Sequence, residues 1–133
     1  MIKNIKEKVT ILAPVSLGEL IDKITILEIK KEKINSSKLN NVLKELNYLN
    51  NVLEEININV EKPLIEKLKK INRVLWDIED EIRYKEFLKE FDETFIELAR
   101  SVYLENDKRS SIKHEINSKY NSTIVEEKSY EKY

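Results

Sequence analysis

The chain has 133 residues, 37% of them charged, a formal net charge of -1 from 24 basic and 25 acidic side chains, and no cysteine. That length fits a single domain and leaves no room for a second independent core. Disulfides, thiolate nucleophiles and sulfur-ligated metals are excluded, as is a global field that would draw the chain to nucleic acid or an anionic membrane.

The longest apolar runs fall far short of the roughly 18 residues of a membrane span. The first residues alternate charge and do not lead into a hydrophobic segment, so a soluble, unprocessed, cytoplasmic protein is expected. In chain order, Val9-Thr10-Ile11-Leu12-Ala13 is β-branched and ends at Pro14, which predicts a short extended arm. Ser16-Leu17-Gly18-Glu19 has the spacing of a capping box, and Leu20, Ile24, Leu27 and Ile34 share a stripe, so the first helix should run from Leu17 to Ile34. Asn35-Ser36-Ser37 breaks that pattern. A second helix from Lys38 to Ile56, with Leu39, Val42, Leu46, Leu49 and Leu53 on one face, should lie antiparallel to the first.

Residues 57–62 lose the helical register, and Pro63 suits the first turn of a third helix. Its stripe is Leu64, Leu68, Ile71, Leu75, Ile78 and Ile82, and a helix reaching Leu88 would be about 40 Å long. Positions 85 and 89 are Lys where that register demands apolar residues, while Leu88, Phe91, Phe95, Leu98 and Val102 begin a stripe out of phase. A break is therefore expected between Tyr84 and Asp92. Asn106-Asp107 reads as a second interruption, followed by a short stripe of Ile112, Ile116 and Tyr120. Ser122-Thr123-Ile124-Val125 is locally strand-like, and residues 9–13 are expected to pair with 122–126, within one subunit or between two.

The fold class is mainly all-α: a bundle of four or five helices with long central helices, in one domain. An extended arm (1–15) precedes a helical core (16–120) and a polar C-terminal segment (121–133). The length of the apolar stripes calls for a partner subunit, hence a homodimer.

The chemistry is less legible. Glu79, Arg83 and Glu86 follow i,i+4 and i,i+3 spacing on the third helix, read either as an i,i+4 ion pair beside Trp76 or as a face that orients a phosphate or a sugar. Glu19 and Asp22 have the i,i+3 spacing of metal-binding carboxylates. Capping accounts for Glu19 and the first turn for Asp22, however, and the second helix supplies no matching acidic pair. Asn106 or Asp107 would cap a helix and leave Arg109 and Lys113 four apart, able to reach one anion or simply to face solvent. His114 lacks a neighbouring His or Cys. No catalytic set, metal site or cofactor motif is recognisable, and basic residues are offset by acids, so no nucleic-acid partner is expected.

Three blocks carry a resemblance: VSLGELIDKITILEIK at Val15 to Lys30, LWDIEDEIR at Leu75 to Arg83, and the series Leu98-Ala99-Arg100, Val102-Tyr103, Asn106-Asp107, Arg109, Ile112-Lys113, Ile116-Asn117, Ser122 and Glu126 to Tyr130. In that order they resemble a bacterial and phage family, domain of unknown function 6165, which implies a compact helical protein and transfers no residue roles. With that resemblance, Lys23, Glu28, Glu79, Arg83, Asn106, Arg109, Lys113 and Lys128 are expected to converge as a ligand site for an anionic, hydroxyl-bearing small molecule. The expected function is a non-catalytic, self-associating helical binding or assembly module. The alternative is a small-molecule binder or enzyme acting on a phosphate- or sugar-containing compound.

Overall fold

The computed structural model describes residues 7–131 and 133. Four helices follow in order: α1 (Leu17–Lys33), α2 (Leu39–Glu55), α3 (Lys62–Leu88) and α4 (Glu93–Lys119). The fold is all-α with long central helices, as the apolar periodicity predicts.

The first helix organises the rest. Its Leu20, Ile24 and Leu27 meet Val42 and Leu46 of α2, with Ile34, Leu49 and Val52 closing around them. Its other side sends Leu17 and Ile21 against Val60, Leu64, Leu68 and Ile116, with Ile112 and Tyr120 alongside. Each such side chain contributes about 1.5–3 kcal/mol on burial. Only one of these stripes was expected. Because α1 is apolar on both sides, it becomes the central layer, with α2 on one face and the α3–α4 hairpin on the other; α2 packs mainly against α1, and its Leu53 also reaches the cluster that holds Leu17, Val60 and Leu64.

The helix ends follow their local chemistry. The Ser16 hydroxyl caps α1 by accepting from the Glu19 amide at 3.0 Å, whereas the Glu19 carboxylate turns to Lys113 and leaves the reciprocal half of the capping box unmade. Pro63 sits in the first turn of α3. The expected break falls after Leu88. Lys89 adopts the left-handed conformation at φ 57°, and Asp92 caps α4 by accepting from the Phe95 amide at 3.0 Å.

Two expectations need correction. Asn106-Asp107 does not interrupt or cap anything, because α4 runs unbroken from Glu93 to Lys119. Both side chains instead find positions on its partly buried surface, and Asp107 takes the Tyr133 hydroxyl and Lys128 as partners. Residues 9–13 form neither helix nor strand and no ladder with 122–126 within the chain; Val9, Ile11 and Leu12 are exposed. The C-terminal segment docks on the start of α1 through side chains. Residues 1–6 of the expected arm lie outside the described residues.

Helix lengths set the outline. α1 has 17 residues, whereas α3 and α4 have 27 each, which is about 25 Å against 40 Å at 1.5 Å per residue. α1 begins level with Leu64 and Ile116 and reaches Trp76 and Asn106, where Ile26 and Ile29 share a groove with them. The remaining part of the α3–α4 hairpin, around Tyr84 to Phe95, projects beyond it.

Candidate functional site

A buried polar network crosses the seam between α1, α3 and α4. Asp22 is 0% exposed in the second turn of α1, the helix that is apolar on both sides. Such a carboxylate persists only when paired and hydrogen-bonded. Arg109 of α4 supplies both: its Nε donates to Asp22 Oδ1 at 2.9 Å and a terminal nitrogen donates to Oδ2. Asn72 of α3 adds a bond to Asp22 Oδ1 and another to Thr25 Oγ1, both 2.9 Å, while the Thr25 hydroxyl donates to the Asp22 carbonyl at 2.8 Å. The hydrogen bond to Asp22, working against burial, holds the Arg109 guanidinium above its ordinary pKa. Every described buried side-chain polar atom has a partner.

One turn away the network continues to the C-terminus. Lys113 pairs with Glu19, both partly buried. The Gly18 amide donates to Asn117 Oδ1 at 2.7 Å, the Leu17 amide donates to Ser122 Oγ at 3.1 Å, and Asn117 Nδ2 donates to Glu126 at 3.1 Å. Glu126 also accepts from the Ser16 hydroxyl. The first amides of α1, which have no intrahelical partners, are thus satisfied by α4 and the segment after it. Burial pushes the Glu126 carboxyl up, but the Ser16 bond and the neighbouring donors outweigh it, leaving the group below the ordinary glutamate value. Gly18 permits this approach: a Cβ there would lie 2.6 Å from the Lys113 carbonyl oxygen.

Three surface grooves flank the network. One, of about 510 Å³, is lined by Asn72, Trp76, Asp80, Asn106 and the Glu79–Arg83 and Arg109 side chains. A second, of about 280 Å³, lies between α4 and the C-terminal segment and includes Asn106, Arg109, Lys113 and Lys128. A third, of about 800 Å³, is lined by Val102, Tyr103, Lys128, Tyr130 and Tyr133. The C-terminal segment folds back as its tyrosines suggest, with Tyr133 against Tyr103 at 5.0 Å between ring centres, although Tyr130 and Tyr133 stay exposed.

Of the eight candidate residues, Glu79, Arg83, Asn106 and Arg109 come together in the first groove. Asn106 and Arg109 are shared with the second, where Lys113 and Lys128 join them. Glu28 lies elsewhere, paired with Lys69 at 2.6 Å, and Lys23 is exposed on α1 outside these grooves. Arg83 and Glu79 form the expected i,i+4 pair at 3.3 Å. Arg109 and Lys113 do not stand free for an anion, since Asp22 and Glu19 already match them. These pairs also replace the capping and first-turn account of Glu19 and Asp22.

Sequence reasoning passed over Asn72, Thr25, Asn117 and Glu126. A signal was present for one of them: Thr25, like Asp22, falls among Leu20, Ile21 and Ile24 on a helix with apolar residues on both sides, where a polar side chain needs a partner. Among the described residues no group of three or more His, Cys, Asp or Glu is placed to hold a metal ion, and no helix is long and apolar enough to cross a membrane. Comparison with curated proteins and with solved structures gives no match. Residues 11–133 match the model of a family of unknown function (DUF6165), so the chain belongs to that family.

Proposed function

We propose that the chain is a non-catalytic helical binding module that forms a homodimer through the projecting end of its α3–α4 hairpin. The observation that carries this reading is the exposure of Tyr84 at 61%, Phe87 at 78% and Phe91 at 56%, grouped around the hairpin turn with Leu88. At about 200 Å² per aromatic side chain, these three expose roughly 400 Å². That equals the largest apolar patch of a typical monomer and supplies about half of what one partner buries in a standard interface. A second copy is the natural occupant, because a two-fold contact sets the same aromatic patch against itself. At the other end the charged groups of the network are matched within the chain, Asp22 by Arg109 and Glu19 by Lys113.

Light scattering at tens of micromolar tests this. Twice the 15.8 kDa chain mass is expected, falling to the chain mass in Phe87→Glu with the helical circular dichroism retained. A monomeric wild-type chain would refute the dimer. The second reading, a small-molecule binder or an enzyme acting on a sugar- or phosphate-containing compound, draws support from the groove beside Trp76.

A further inference from the structure

The groove at the junction of α1, α3 and α4 contains an acceptor that the fold itself leaves unused. Asn72 is only 6% exposed, and its amide nitrogen is committed to Asp22 and Thr25. That commitment fixes which end of the amide is the oxygen. Oδ1 has no protein partner among the described residues, yet no described side-chain polar atom is both buried and unpaired. The oxygen is therefore open to the groove that Asn72 lines. Asp80, Asn106 and the indole N–H of Trp76 line the same groove, also without hydrogen-bond partners among the described residues.

The charges select the ligand. Arg109 is matched by Asp22 and Arg83 by Glu79, which leaves Asp80 uncompensated. The lining is neutral overall, Glu79 and Asp80 against Arg83 and Arg109, and an anion entering it finds each guanidinium already paired with a carboxylate. A free cation meets those two guanidiniums. A neutral molecule that offers hydroxyl donors and one apolar face suits the remaining groups: acceptors at Asn72 and Asp80, an amide of both kinds at Asn106, and Trp76 beside Ile26 and Leu75. We propose that this groove binds a neutral, hydroxyl-rich ring, a sugar residue, seated against Trp76 with hydroxyls donating to Asn72 Oδ1 and Asp80. The proposal deepens the binding half of the function above and is independent of the dimer, which molar mass tests separately.

Trp76 is the single tryptophan and reports directly on the groove. Titration of the protein with glucose, galactose, mannose and N-acetylglucosamine, followed by tryptophan fluorescence, is expected to give a saturable change with at least one sugar at millimolar concentration. Asp80→Asn and Asn106→Ala keep the reporter and lie on the surface of folded helices; each should weaken binding about tenfold, the effect of one lost hydrogen bond. Maltose and lactose in the same titration separate a free ring from a residue of a chain, the latter binding more tightly than the monosaccharide. Silence across the panel, saturation by inorganic phosphate in place of the sugars, or equal binding by both variants would overturn the assignment.

Discussion

The two ends of the α3–α4 hairpin are built from the same kind of helix and put to opposite uses. Near α1, polar side chains are matched around a buried Asp22 and Asn117: Asp22 with Arg109, Glu19 with Lys113, Asn117 with Gly18 and Glu126. At the projecting end, charged pairs such as Lys89 with Glu86 lie in solvent and aromatic rings stand uncovered. A buried pair fixes which helix faces which, because a shifted register would leave a charge without its partner. Exposed pairs contribute little, so the projecting end depends on the base for its position and is free to meet a partner.

The contrast is tested most severely at Asp22. Asp22→Ala removes the partner of Arg109 in the seam and should cost about 3 kcal/mol, read as a lower midpoint in urea unfolding. Asp22→Leu combined with Arg109→Met should cost less than the two single changes added together, since it removes the pair as a unit. Gly18→Ala should cost about 1–3 kcal/mol despite the better helix propensity of alanine, because its Cβ meets backbone of α4.

How far these features can be read in advance follows the same division. Periodicity located the four helices because each buries an apolar face, and the mismatch at Lys85 and Lys89 marked the turn after α3. Asn106-Asp107 misled because weak helix formers are overridden when the surrounding helix is packed along its length. The partners of Asp22 are 50 and 87 residues away, a relation that no local spacing expresses. Four of the eight candidate residues share a groove, but their charges are largely matched by carboxylates whose positions only the tertiary fold reveals.

Acid sharpens the comparison further. The folded-state pKa of Glu126 lies below its ordinary value, so its contribution is present above the unfolded glutamate pKa and is lost as pH falls through the folded one. Stability should therefore decline on acidification below the ordinary glutamate range, and Glu126→Gln should reduce that slope by one carboxylate's share in denaturation curves taken across the acid range. At the hairpin turn, Lys89→Gly should raise stability by about 0.5–1 kcal/mol, because glycine accepts a positive φ without the Cβ penalty and the ion pair lost is exposed. The smallest change in folding is expected for Phe87→Ser, within about 0.5 kcal/mol when compared as monomers.

Amide hydrogen exchange as a function of protein concentration tests the division most directly. Protection of residues 84–91 should rise with concentration as dimers form, while the seam around Asp22, Asn72 and Arg109 should stay equally protected throughout. Protection at 84–91 that does not change with concentration, or a rise confined to the seam, would contradict the account.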